Sequence, residues 1–379
     1  MKNSWRLMRV AGIDIGIHYT WILIFVLLSW SLAQGFFPQL YPGWDTITYW
    51  ITGVLAALLL FGSVLIHELA HSLVARARGM TVTSITLFIF GGVSNLEEEP
   101  EKPKVELAMS IVGPLASLAL AGIFWGLVQL VEDQQSPPGG MLTYLALVNA
   151  ILAAFNLLPG FPLDGGRVLR SIIWDRTGSL VKATNIAATV GRFMGWALIA
   201  FGLFQIFAGN FIGGIWLAFI GWFLSSSADA SRREITLREQ LSGVRVRELM
   251  TTNPTGISPD TTVAELVSNV FRKQHGRAVP VCQNDQVLGI VTVTDVKELP
   301  QEKWGETEVR EIMTREPLYS VTPEDDLDTA LRLITKHDIN QLVVTQGGRC
   351  AGLLSRAEIL SHLQLSQELG LKQKGGTNV

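Results

Sequence analysis

The sequence is short of cysteine and of charge for its length. Cys282 and Cys350 are the only cysteines among 379 residues, which excludes a disulfide framework and favours a reducing compartment. Charged residues make up only 17% of the chain, and the net charge is −3. Because no basic stripe runs along the chain, a nucleic-acid partner is not expected.

Charge is missing above all from the first half of the chain. Residues 1–227 hold nearly all the tryptophan and very long apolar runs, whereas residues 228–379 have the charge density of an ordinary soluble domain. We therefore predict a membrane domain over residues 1–227 and a soluble region over residues 244–366. A helical linker is expected at 228–243 and a disordered tail at 367–379.

Six apolar segments are predicted to cross the lipid bilayer as helices. These are Thr20–Ala33, Trp50–Ala75, Val105–Val131, Leu142–Leu158, Ala187–Ala208 and Phe211–Leu224. The first, fourth and sixth are shorter than the roughly 20 residues that a spanning helix needs. The first 35 residues also have features of a signal peptide, but we expect a retained first span because further spans follow.

The loops between these segments differ in their content of Lys and Arg. Basic residues precede the first span and lie in every second loop after it, while residues 34–48, 132–141 and 209–210 contain none. Since short cytoplasmic loops are the basic ones, both termini and the soluble region are predicted to be cytoplasmic. The second and fourth spans then both run inward, and their ends lie at a similar depth.

The second span contains the motif HELAH. A spacing of four puts His67 and His71 on one face of a helix, and Glu68 lies beside them, as in zinc sites of the HExxH type. Ionisable groups in a membrane are costly unless they are paired, and a shared divalent ion compensates all of them. Asp164, after the fourth span, is the best third ligand by depth, and Asp175 is the alternative. The competing interpretation is a set of polar groups that reach the interface or bond to neighbouring helices.

Five motifs of the membrane half resemble, in order and spacing, those of the site-2 protease family of intramembrane metalloproteases. They are GIDIGIHYTW, HELAH, FIFGGVSNL, GPLAS and NLLPGFPLDGGR. The resemblance implies one zinc ion held by His67, His71 and Asp164, with Glu68 as general base. It also implies that Asn156 polarises the scissile carbonyl or holds the oxyanion, and that the substrate is a transmembrane segment of another protein. The competing interpretation of Asn156 is a polar residue that only bonds across helices.

The segment Val82–Leu96 is rich in β-branched and aromatic residues and is interrupted by glycine. It predicts a strand pair or a re-entrant loop at the membrane edge. Such an edge can add an unwound substrate as an extra strand. The alternative is a plain apolar connector docked on the helices.

The soluble half repeats itself after about 63 residues, because VRELMTTNP at 246–254 matches VREIMTREP at 309–317. Each copy predicts the order strand, helix, strand, strand, helix. This resembles a tandem of cystathionine-β-synthase (CBS) domains, over 244–304 and 305–366. The resemblance implies an adenine nucleotide in the cleft between the copies, bound by Thr292 and Asp295 in the first copy. The second copy departs from the family pattern, because Ser355 is retained but Glu358 replaces the Asp. The alternative is a pair that only dimerises, giving a homodimer, or docks on the membrane half.

The sequence thus predicts a multi-span α-helical membrane protein with a short β segment, followed by an α/β tandem CBS domain. The expected activity is that of an intramembrane zinc endopeptidase. Two other classes compete with it: a membrane transporter or channel gated by the CBS domains, and a catalytically silent membrane scaffold. Neither explains Glu68 or the Asp-Gly motif at Asp164.

Overall fold

Two structural units make up the chain, Met1–Arg233 and Glu234–Val379. The computed structural model describes residues 4–89, 91–96, 100–252, 254, 256–274, 277–283 and 286–369. The predicted tail, residues 367–379, lies outside the described residues from residue 370 onward. The predicted domain boundaries stay predictions.

The described part of the first unit has seven helices, the last of which continues into the second unit. They are α1 (Thr20–Leu40), α2 (Thr46–Ala77), α3 (Pro103–Val128), α4 (Pro137–Asn156), α5 (Asp164–Thr177), α6 (Leu180–Phe207) and α7 (Phe211–Leu241). All but α5 are long and apolar enough to cross a membrane. The prediction of six spanning helices is therefore confirmed.

The three segments that seemed too short to span a membrane are longer in the structure. The first span continues through a π-helical turn at Leu32–Phe36, and α7 runs through the predicted linker. Helix α4 begins at Pro137, because proline is well suited to the first turn of a helix. With 21, 20 and 31 residues, α1, α4 and α7 all reach spanning length.

A four-stranded sheet accompanies the helices of the first unit. Its strands are β1 (Ser4–Val10), β2 (Ile13–His18), β3 (Val82–Phe88) and β4 (Gly91–Leu96), and they lie in that order. Strand β2 pairs with β3 in parallel, while the outer pairs are antiparallel. The predicted strand pair is confirmed, whereas β1 and β2 were not predicted. Because Ile13 and Ile85 pack with Ala75 and Met109, the sheet lies against α2 and α3.

The second unit contains two similar copies built on one mixed sheet. Its helices and strands are α8 (Val246–Leu249), β5 (Thr251–Thr252), α9 (residues 263–274), β6 (Ala278–Gln283), β7 (Gln286–Thr292), α10 (Val293–Lys297), α11 (Val309–Ile312), β8 (Ser320–Val321), α12 (Leu327–Lys336), β9 (Gln341–Gln346), β10 (Arg349–Ser355) and α13 (Arg356–Glu368). The strand order is β6-β7-β10-β9-β8, and β5 pairs with β10.

The two copies exchange short extended segments. Thr251 and Thr252 of the first copy pair with Leu353 and Gly352 of the second, and Thr314 bridges to Ile290 of the first. A side chain at Gly352 would approach the Thr251 carbonyl to 2.8 Å, so glycine permits this exchange. The predicted repeat is confirmed, and the exchange joins both copies into one unit.

Candidate metal centre

Two histidines of α2 and one aspartate of α5 converge on a single point. His67 Nε2 lies 3.1 Å from His71 Nε2, and Asp164 Oδ2 lies 3.2 Å from each of these nitrogens. His67 is buried, and His71 and Asp164 are nearly so. The three side chains form a group that could hold a metal ion. The structure thus brings together the three residues that the resemblance implied.

Helix α3 orients both imidazole rings. His71 Nδ1 donates to the backbone carbonyl of Met109 at 2.6 Å, and His67 Nδ1 bonds to Ser117 Oγ at 2.9 Å. Because a carbonyl can only accept, the Nδ1 of His71 must carry a hydrogen, which leaves a lone pair on Nε2 in the neutral ring. Partners of this kind fix the tautomer and the direction of metal-binding histidines.

Gly113 makes room for the two rings on α3. A side chain there would collide with His71 Nε2 and lie 2.8 Å from His67 Nε2. The GPLAS motif therefore supplies two distinct contributions, open space at Gly113 and a hydrogen-bond partner at Ser117. The sequence contained both residues within a recognised motif, but their contacts depend on how α2 and α3 pack and were not predicted.

Asp164 is the first residue of α5 and follows α4 closely. A side chain at Gly165 would collide with the Leu157 carbonyl, and one at Gly166 would collide with the backbone of Gly160. The two glycines thus let the chain fold back tightly after α4.

Three acceptor atoms this close together need a shared cation. A proton on one ring satisfies one of the three contacts, whereas a metal ion satisfies all of them. In a tetrahedral zinc site with bonds of about 2.0–2.1 Å, neighbouring ligand atoms lie about 3.3 Å apart. The observed separations of 3.1 and 3.2 Å match that triangle. Two histidines with one carboxylate also form a ligand set of catalytic zinc, so the residues fit this ion.

Glu68 is held beside the group by strand β4. Its Oε2 accepts a hydrogen bond from Ser94 Oγ at 3.2 Å, and Ser94 Oγ lies 3.1 Å from Ser72 Oγ. Gly92 is also in contact, because a side chain there would collide with Glu68. The edge strand of the sheet thus contacts the candidate base directly. Gly92, Ser94 and Ser72 were not among the residues predicted to belong to the site.

Two other candidate residues of the first unit are not among the three converging side chains. Asn156 ends α4 and is half-buried, and within the described residues no hydrogen bond joins it to the three converging side chains. Asp175, the alternative third ligand, lies two turns beyond Arg167 on α5 and is exposed. The structure therefore favours Asp164 over Asp175 in the group.

The second unit contains a cleft of about 920 Å³ that is lined by both copies. Thr292, Asp295, Ser355 and Glu358 all line it. Asp295 Oδ2 accepts from the backbone and hydroxyl of Thr292, and Glu358 Oε2 accepts likewise from Ser355. The longer side chain of Glu358 also reaches the other copy, where its Oε1 accepts from Thr251 Oγ1 at 2.8 Å.

Comparisons with known proteins agree with this architecture. The family model described as Peptidase family M50 matches residues 55–138 and 132–198, and the CBS domain model matches 246–302 and 309–365. Rip3 of Mycobacterium tuberculosis, whose name assigns it provisionally to the zinc metalloproteases, is 34% identical over 95% of this chain and 92% of its own. The chain belongs to peptidase family M50.

Two further relatives of this M50 protein align over nearly their whole length. The protein sll0528 of Synechocystis sp., also named provisionally as a zinc metalloprotease, is 36% identical over 97% of both chains. Zinc metalloprotease MJ0392 of Methanocaldococcus jannaschii is 30% identical over 97% of this chain and 99% of its own. The M50 protein is thus a multi-pass membrane zinc metalloprotease of the site-2 type with two CBS domains, and the expected resemblance is confirmed.

Proposed function

We propose that this protein hydrolyses a peptide bond in or near a transmembrane segment of another membrane protein. The observation that carries the proposal is the convergence of His67, His71 and Asp164 on one point, with Glu68 beside them on α2. His67, His71 and Asp164 are the proposed zinc ligands. When bound, zinc would act as a Lewis acid towards water and the scissile carbonyl.

Glu68 is the proposed general base. It takes a proton from the attacking water and delivers it to the leaving amide nitrogen, so that no acyl-enzyme is needed. Its hydrogen bond from Ser94 keeps Oε2 in place, and Oε1 is the oxygen proposed to accept that proton. Asn156 is the proposed group that polarises the scissile carbonyl, since it ends the helix that leads to Asp164.

We further propose that the substrate is bound as an extra strand on β4. A helical substrate must unwind before cleavage, because its carbonyls are hydrogen-bonded within the helix. Strand β4 is an edge of the sheet, and it carries the residues Gly92 and Ser94 that touch Glu68. An added strand would therefore run beside the catalytic groups. The inner position of β3 makes Thr86–Phe88 unsuitable for this pairing.

Cysteine cross-linking tests the strand addition. Val93 on β4 is 39% exposed, and Val93→Cys can be combined with single cysteines along a single-span substrate in a background of Cys282→Ser and Cys350→Ser. Strand pairing predicts cross-links that recur at every second substrate position. Equal cross-linking at all positions, or none, would contradict it.

The decisive experiment for the reaction uses Glu68→Gln. Purified full-length protein is incubated with a panel of single-span substrates, with and without a zinc chelator. We expect chelator-sensitive cleavage by the wild type and a loss of about 10²–10⁴-fold in Glu68→Gln, with zinc content unchanged. A transporter or a scaffold would show no cleavage to lose. Cleavage that survives both treatments would reject the proposal.

We also propose that the cytoplasmic CBS pair binds an adenine nucleotide and regulates the protease. The support is a cleft of suitable volume that combines hydroxyl and carboxylate groups with the cations of Arg277 and Arg356. The cytoplasmic orientation of this unit and of both termini is part of the proposal and rests on the basic loops. Homodimerisation through the CBS pair stays a prediction.

A further inference from the structure

A buried ion pair lies between α3 and α5, away from the converging side chains. Arg170 Nε donates to Glu106 Oε1 at 2.7 Å, and Arg170 Nη2 bonds to the same oxygen. Glu106 is 1% exposed and Arg170 is 4% exposed. The guanidinium also lies over the ring of Phe161, 4.9 Å from its centroid. In the sequence, Arg170 was counted only as a basic residue of a predicted cytoplasmic loop, and Glu106 had no assigned role.

Stability alone is a poor explanation for such a pair. Two buried charges lose their hydration, and a well-packed apolar pair of similar volume is often at least as stable. Glu106 Oε2 is buried and has no hydrogen-bond partner in the part of the chain that the structure describes. Arg170 is thus the main partner of this carboxylate. Because burying both charges costs free energy, we expect the pair to have a role besides stability.

The positions of the two residues supply that reason. Glu106 lies in the first turn of α3, the helix whose Met109 carbonyl and Ser117 hydroxyl orient the imidazoles. Arg170 lies six residues after Asp164 on α5, a helix of 14 residues that begins at that aspartate. The ion pair therefore joins the helix that orients the histidines to the helix that carries the carboxylate.

A metal centre tolerates little displacement between these two helices. Ligand distances have to stay within about 0.2 Å of their ordinary values. The close contacts of Gly165 and Gly166 restrain α5 only at its N-terminal end, where Asp164 lies. A bond at Arg170, nearly two turns along the same helix, restricts rotation and sliding of α5 against α3.

We propose that Glu106 and Arg170 are a positioning pair that keeps the Asp164 carboxylate in register with His67 and His71 and thereby sets the affinity for zinc. The inference rests on the proposed zinc ligands. Neither residue is a proposed zinc ligand or the proposed base, so the pair acts through α3 and α5.

Zinc affinity of the full-length protein in detergent tests this role. The dissociation constant is measured by competition with a chelator of known affinity for wild type, Glu106→Gln, Arg170→Gln and the double variant. We expect each single change to weaken zinc binding about 10–100-fold, as found for other groups that support metal ligands. The double variant should lose less than the product of the single losses, because it leaves no isolated buried charge.

The exposed pair Arg192–Asp229 offers a control on two other helices. It joins α6 to α7 at 3.6 Å, and Asp229→Asn breaks it without touching α3 or α5. Zinc affinity of Asp229→Asn should stay within twofold of the wild type. The absorption spectrum of the cobalt-substituted protein gives a second measure, and we expect the tetrahedral bands to weaken in Glu106→Gln but not in Asp229→Asn.

A purely structural role gives a different result. If the melting temperature of the metal-free single variants falls while their zinc affinity stays within twofold of the wild type, the inference is overturned. Should the single variants fail to fold, Glu106→Asp and the double variant are judged by the same zinc criterion. If the wild type itself binds no zinc, the proposed ligands fail, and that outcome is distinct from equal affinity in wild type and variants.

Discussion

The metal centre and the CBS cleft both contain carboxylates, but the two sites use them differently. In the metal centre, Asp164 points at two imidazole nitrogens whose other ring atoms are bonded to α3. In the cleft, Asp295 and Glu358 are already bonded to the backbone and hydroxyl of the residues three positions earlier. The acceptor atoms of the first arrangement need a cation to join them, whereas the carboxylates of the second are satisfied by their own hydrogen bonds.

This difference indicates what each site does in the resting protein. Converging acceptor atoms repel one another until a cation joins them, so the metal centre should be permanently loaded. Helix caps are stable by themselves, so the nucleotide proposed for the CBS cleft is expected to bind and leave as its concentration changes. A resident catalytic ion and an exchangeable regulator are the roles that fit these two chemistries.

The largest expected effect comes from removing the charge of Asp164. Asp164→Asn keeps the shape but offers a neutral ligand, and we expect zinc affinity to fall at least about 100-fold, with loss of cleavage. Asp175→Asn is the matched control, because Asp175 lies on the same helix and is exposed. Chelator competition measures both variants. An equal loss in the two would remove the basis for preferring Asp164.

A smaller effect is expected from filling the space beside the histidines. In Gly113→Ala the new methyl group would collide with His71 Nε2, so the rings must shift and we expect activity to fall about tenfold. Gly122→Ala on the same helix is the control, since nothing lies within 4 Å of its added carbon. Initial cleavage rates and zinc content are compared. Full activity in Gly113→Ala would show that α3 does not restrain the rings.

Much of the architecture was predictable because local patterns determine it. Apolar length predicted six spanning helices, and the spacing of His67 and His71 placed both on one face of α2. The near-identical segments at Val246 and Val309 predicted the two CBS copies. Asp164 was inferred as a ligand from its predicted depth in the bilayer, which depends only on loop charges and span lengths.

The remaining features depend on contacts between distant segments. Helix α5 was missed because its Asp and Arg residues gave it the composition of a loop, although Val168, Leu169 and Ile172 have helical spacing. Ser94 approaches Glu68 only because β4 folds against α2, and Glu106 meets Arg170 over 64 residues of chain. Single-sequence patterns carry no signal for such pairs.

The smallest effect, and the sharpest test of the cleft, concerns the two CBS copies. The second carboxylate oxygen of Glu358 accepts a hydrogen bond from Thr251, so it is not available to bind a ribose. Among the described residues, Asp295 accepts no corresponding bond from Thr314. We therefore expect one adenine nucleotide per chain, at Thr292 and Asp295. Calorimetric titration of the full-length protein with ATP, AMP and S-adenosylmethionine measures this stoichiometry.

Converting each of Glu358 and Asp295 to the other acid should change the number and strength of the nucleotide sites. Glu358→Asp shortens the side chain, releases Thr251 and should raise the stoichiometry to two, while Asp295→Glu should weaken the first site about tenfold by reaching Thr314. Zinc affinity should stay the same in both variants, because the metal centre is complete without the cleft. Two equal sites in the wild type would show that the hydrogen bond between Glu358 and Thr251 breaks when a nucleotide binds. The internal hydrogen bonds of the cleft would then hold its carboxylates less firmly than the contrast with the metal centre requires.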